Sequence, residues 1–160
     1  MEGHDVHKAV RELEARWVYF HAWGHENVTA RHRTTLEITT DDYLTPRGDC
    51  ILGIKAPIAA AGLPAWFKEA ARSRSSVIVL VLCAGGVCDS IVGRGDPGLE
   101  YTSPNRLVAR RSTYVSGDTL MVEASKAARD VRRDMVERLR EGARLDVYIT
   151  VLEDALAPRG

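Results

Sequence analysis

The segment Ile54–Leu82 aligns without a gap on Val122–Thr150, and this internal match constrains the fold more than any other feature of the chain. Ala56 falls on Ala124, Ala59 and Ala60 on Ala127 and Ala128, Leu63 on Val131, and Phe67 on Met135. Glu69 and Arg72 meet Glu137 and Arg140, while Val77, Val79 and Val81 meet Leu145, Val147 and Ile149. Each copy reads as strand, alanine-rich turn, amphipathic helix, strand. Upstream, Gly48-Asp49 corresponds to Gly117-Asp118, His32-Arg33-Thr34-Thr35 to Arg110-Arg111-Ser112-Thr113, and Gly24-His25 to Gly95-Asp96. The expectation is a duplicated chain, with a first repeat over residues 16–93 and a second over 94–152, packed about a pseudo-twofold axis that a ligand approaches. Architecture is therefore more legible here than function, because the match names no ligand.

At 160 residues the chain suits a single domain with a sizeable core, and no linker divides residues 1–160. Its formal net charge of +0 gives no global field toward nucleic acid or anionic membrane. No apolar run approaches the ~20 residues of a membrane span, and the charged start Met1–Lys8 has no signal core. A soluble, cytoplasmic protein is expected, and a homo-oligomer is compatible with it. Glutamine is absent and arginine far outnumbers lysine, a composition that leans toward a thermophile. Cys50, Cys83 and Cys88 are too few for a disulfide framework. Cys83 and Cys88 flank Ala84-Gly85-Gly86 and could face each other across a hairpin, but buried free thiols are the expected state.

Periodicity predicts an α+β domain: a β-rich barrel or sandwich of two similar halves, each with one covering helix, plus a short N-terminal helix over Asp5–Ala15. Arg16–Ala22 is predicted as a strand. Strict alternation from Val28 to Ile38 predicts a second, with His32 and Thr34 on its apolar face beside Ala30 and Leu36. Pro57, Gly62 and Pro64 break the first helix into two short pieces. Val77–Leu82 and Val87–Gly93 form a hairpin, and Ser125 is expected to cap a helix over roughly Lys126–Glu141. Asp146–Leu152 closes the fold, with a frayed tail over Ala155–Gly160.

The run Gly24-His25-Glu26-Asn27-Val28, then Thr29 to Thr39 (TARHRTTLEIT), then Tyr43-Leu44-Thr45-Pro46-Arg47-Gly48-Asp49-Cys50-Ile51, resembles an archaeal family known only as a domain of unknown function, number 371. Arg94-Gly95-Asp96-Pro97 and Ser125-Lys126-Ala127-Ala128 are similar too. The resemblance covers roughly Arg16–Leu152 and implies an archaeal, cytosolic protein with a compact, β-rich fold. It implies no activity, no cofactor and no catalytic residue. A Gly-Asp pair before a strand in each half also resembles the duplicated cradle-loop barrels. There Gly48 and Gly117 would allow a tight turn, with Asp49 and Asp118 accepting its amide hydrogen bonds.

Buried polar groups need partners, so His32 and Thr34 in one half and Arg110 and Ser112 in the other define the candidate pocket. An inward guanidinium requires an acid or an anionic ligand. Asp49, Asp96 and Asp118 are available as internal partners, while a phosphate or carboxylate would be the ligand. His25 and Asn27 complete the candidate ligand-binding set as turn residues. The leading expectation is a protein that binds a small anionic ligand between its halves. A metal-dependent hydrolase using His25, His32 and Asp49 is one alternative. A nucleic-acid-binding accessory protein is another, using the arginines of the last helix with Arg94, Arg106, Arg110 and Arg111, although stacking aromatics are scarce there. No nucleophile elbow, phosphate-binding glycine loop or dinucleotide fingerprint is present.

Overall fold

Alternation of buried and exposed side chains sets the inward face of each strand. In β1 (Val18–Trp23) Val18, Phe20 and Ala22 are buried, while Tyr19, His21 and Trp23 face outward. The computed structural model describes residues 16–153; the N-terminal helix expected over Asp5–Ala15 and the tail over Ala155–Gly160 lie outside the described residues. After β1 come β2 (Thr35–Thr39), β3 (Ile51–Gly53), a 3-10 turn (Ala60–Gly62), α1 (Ala65–Ala71) and β4 (Val77–Ala84). The same order follows in β5 (Val87–Arg94), β6 (Arg106–Arg110), β7 (Thr119–Met121), a 3-10 turn (Ala128–Asp130), α2 (Arg133–Arg140) and β8 (Arg144–Leu152).

The strands form two four-stranded sheets, ordered β1-β8-β4-β5 and β3-β2-β6-β7. All pairs of the first sheet are antiparallel. In the second, β2 and β6 are antiparallel at the centre, and each has a parallel outer partner joined with a register shift. The sheets touch through single bridges, Trp23 with Ile54 and Arg94 with Val122. The protein is thus α+β and β-rich, with two open sheets where a closed barrel was one expectation. Both helices bury their apolar stripe: Phe67 and Ala71 from α1, and Met135, Val136 and Leu139 from α2. Burial of a side chain such as Phe67 contributes about 1.5–3 kcal/mol.

Two close approaches lock the helices against the strand ends. A Cβ on Gly24 would lie 2.1 Å from the Leu139 carbonyl oxygen, and one on Gly95 would lie 2.1 Å from that of Ala71. Only glycine fits there. The hairpin β4–β5 turns through Gly85 and Gly86, both at positive φ, as a two-residue connection of this hand requires.

Four expectations are corrected. The strand predicted from Val28 begins only at Thr35, because Arg31 and His32 give their backbone N–H groups to the Asp49 carbonyl and the His32 imidazole caps the following turn. The last helix starts at Arg133. Its forerunner is a 3-10 turn whose Asp130 carboxylate accepts from the Ala127 N–H at 2.9 Å. Ser125 is no cap; its hydroxyl accepts from the Val92 N–H at 3.0 Å. Finally, Cys83 and Cys88 stand opposite each other and are joined by a disulfide, with Cys50 left as a free thiol.

Candidate functional site

Arg110 ends β6, opposite Thr35 of β2, and its guanidinium is held from within through Nε and Nη2. Nε donates to Thr119 Oγ1 at 2.9 Å, and Nη2 donates to Asp118 Oδ1 at 2.9 Å and Ser116 Oγ at 3.3 Å. The Tyr114 ring stacks on it at 4.9 Å. Burial pushes the Asp118 carboxyl up, but hydrogen bonds from Ser116 and Arg110 outweigh that and hold it below its ordinary value of 3.8. On the same strand face Glu37 is buried. Among the described residues its carboxylate accepts one hydrogen bond, from the Cys50 thiol at 3.9 Å. Burial raises the Glu37 carboxyl, opposed mainly by Arg106. Burial, with Glu37 beside it, pushes the Cys50 thiol to about 11, so Cys50 is a protonated thiol at neutral pH rather than a nucleophile.

The histidines hold turns. His32 Nδ1 accepts from the Thr34 N–H at 3.3 Å and the Thr35 N–H at 3.1 Å; Thr34 is exposed, against the expectation that it points inward. Ser103 does the same work with its hydroxyl, accepting from Asn105 at 3.3 Å and Arg106 at 3.1 Å. His25 Nδ1 accepts from the Asn27 N–H at 3.0 Å, and Asn27 Nδ2 donates to the Leu44 carbonyl at 2.8 Å. Asp96 repeats the His25 turn, accepting from the Gly98 N–H at 2.8 Å. Ser112 Oγ accepts from Tyr114 N–H at 3.3 Å. Thr34 joins the Arg110 neighbourhood through its carbonyl, which accepts from Arg111 at 2.9 Å. Among the described residues no hydrogen bond links His25 or Asn27 to Arg110. The turns at Gly48-Asp49 and Gly117-Asp118 are held by backbone: the Asp49 carbonyl takes Arg31 and His32, and the Gly117 carbonyl takes Thr102 and Ser103.

A separate cleft of about 330 Å³ opens where β5 leaves the first sheet, lined by Arg74, Arg94, Gly95, Asp96, Thr113, Val122 and Glu123. The bridge to Val122 fixes Arg94, with N–H donating at 2.8 Å and carbonyl accepting at 3.0 Å. Among the described residues the Arg94 and Glu123 side chains make no hydrogen bond or ion pair. Arg74 reaches Asp96 only loosely, at 3.9 Å, with 84% of its side chain exposed. The lining thus brings Arg74, Arg94 and Thr113 together beside Asp96 and Glu123, and an arginine without an acidic partner suits an anion. The sequence reading flagged Arg94 and Asp96 but missed Arg74, Thr113 and Glu123. They come from distant segments, and no local spacing announces them.

Among the described residues no group of three His, Cys, Asp or Glu side chains is arranged to hold a metal, and His25, His32 and Asp49 do not form one. Among the described residues no helix is long and apolar enough to cross a membrane.

The chain belongs to the family described as Domain of unknown function (DUF371), which it matches over residues 20–152. It is similar to Uncharacterized protein MJ0206 of the archaeon Methanocaldococcus jannaschii, at 43% identity over 130 residues, covering 81% of this chain and 96% of that protein.

Proposed function

We propose that the protein binds a small anionic ligand, phosphate- or carboxylate-bearing, in the cleft between two duplicated halves. The observation that carries this is Arg94: it lines the cleft, alongside Arg74 and Thr113, with no ionic partner among the described residues. Arg110, the first choice from sequence, is the weaker anchor because its charge is already paired with Asp118 and its Nε and Nη2 with Thr119 and Ser116.

Several matched contacts support duplication about a pseudo-dyad. Thr40 N–H donates to Asn105 O and Arg111 N–H to Thr34 O, both at 2.9 Å. Ala61 N–H donates to Ser103 O and Arg129 N–H to His32 O. Left-handed residues also recur in step, Ala30 with Tyr101 and Lys55 with Glu123. On this reading His32 is the counterpart of Ser103 rather than of Arg110, and the units run over β1–β4 and β5–β8. Arg74 then comes from the first unit and the other cleft residues from the second.

The test is a thermal-shift titration of full-length protein with inorganic phosphate and small carboxylates, each variant read against its own ligand-free Tm. Stabilisation is expected in the wild type and in Arg110→Ala, and is lost in Arg94→Ala. If Arg94→Ala keeps the full ligand shift, the cleft is not the site.

A further inference from the structure

We infer that the cleft selects a small polar zwitterion, one bearing an ammonium group as well as its carboxylate or phosphate; this rests on the anion reading above. The cleft is lined by charges of both signs. Asp96 already serves the fold: its Oδ1 accepts from the Gly98 N–H at 2.8 Å, and its Oδ2 lies 3.9 Å from Arg74 Nε. Among the described residues the Glu123 side chain makes no hydrogen bond or ion pair. Glu123 lines the same cleft as Arg94, yet the two do not pair. Compare Arg110 and Asp118, which close to 2.9 Å where geometry permits.

The backbone is fixed at both Arg94 and Glu123. Arg94 is tied on both its polar backbone groups to Val122. Glu123, the next residue, is held at φ 51 with its N–H given to the Ser112 carbonyl. An anion alone would satisfy Arg94 and leave the Glu123 carboxylate opposing it. A ligand with both charges complements both ends at once. Among the described residues Val122 is the one apolar residue of the lining, so charged and polar groups supply most of the contacts offered to a ligand. A volume of about 330 Å³ exceeds what a bare inorganic anion fills and suits a molecule the size of an amino acid or a phosphorylated amino alcohol.

The probes are acetate, inorganic phosphate, ethanolamine, β-alanine and O-phosphoethanolamine, titrated into full-length wild type, Glu123→Gln and Arg94→Ala by calorimetry. Each variant's fold is checked by circular dichroism. The two zwitterions are expected to bind about tenfold more tightly than acetate or phosphate. Whichever of the pair binds better identifies the acid group. Glu123→Gln should erase that tenfold advantage while leaving phosphate binding intact. Equal affinity for anion and zwitterion in the wild type, or an advantage that survives Glu123→Gln, overturns the zwitterion inference and leaves the anion reading standing. No Arg94-dependent binding of any probe overturns both.

Discussion

Replacing Arg110 by alanine asks whether its guanidinium belongs to the fold or to a ligand. The side chain is 17% exposed and that of Asp118 is 19% exposed, so the pair lies between the surface and fully buried cases. Exposed pairs contribute about 0–1 kcal/mol, whereas removing one partner of a buried pair costs about 3–5 kcal/mol. Asp118 keeps its hydrogen bond from Ser116 Oγ at 2.5 Å, which softens the loss. We therefore expect Arg110→Ala to cost about 2 kcal/mol, or about 4–8 °C in Tm for a chain of this size. The pH dependence has a definite sign. Asp118 titrates below its ordinary 3.8 when folded, so its contribution is present above that value and is lost as pH falls through the folded value. The gap between wild type and variant should shrink below about pH 4. Chemical denaturation across pH, with an Arg110→Ala/Asp118→Asn double-mutant cycle, measures this. A variant as stable as wild type at neutral pH, or a gap that widens in acid, would refute the reasoning.

Gly95→Ala and Gly24→Ala should each cost about 3 kcal/mol, the upper end for overpacking, because the new methyl meets a backbone carbonyl; urea midpoints check this. Glu37→Gln should stabilise the protein near neutral pH and be neutral near pH 4. The folded Glu37 carboxyl titrates above its ordinary 4.5, so the wild type loses stability as pH rises through that range. Reduction of Cys83–Cys88, separated by five positions, should cost at most about 2 kcal/mol, since the closed loop is short; melts with and without reductant decide it.

The hairpin and the broken first helix were legible because Gly85-Gly86, Gly62 and Pro64 act locally. The ungapped match from Ile54 to Leu82 was legible because it spans one helix with its flanking strands. The inward orientation of His32 and Thr34 misled: alternation from Val28 to Ile38 imitates a strand, but the His32 imidazole and the Asp49 carbonyl take the amides a strand needs. Ser125 looked like a helix cap because a charged amphipathic run follows it, yet its hydroxyl binds β5 across the fold. On the duplicated reading proposed above, Gly48 pairs with Ser116 and Asp49 with Gly117, one position from the match of Gly48-Asp49 with Gly117-Asp118. The Ile51 N–H bonds Gly48 O, and the Thr119 N–H bonds Ser116 O. The cleft was illegible because its lining is assembled from four separate segments.

A backbone-amide NMR titration of the isotope-labelled full chain with inorganic phosphate tests the anion cleft most directly. The account predicts shifts centred on Gly95, Asp96, Thr113 and Glu123, with Thr34, Thr35 and Asp118 unmoved. Shifts centred on Thr35, Arg110 and Asp118, with the cleft amides silent, would contradict it.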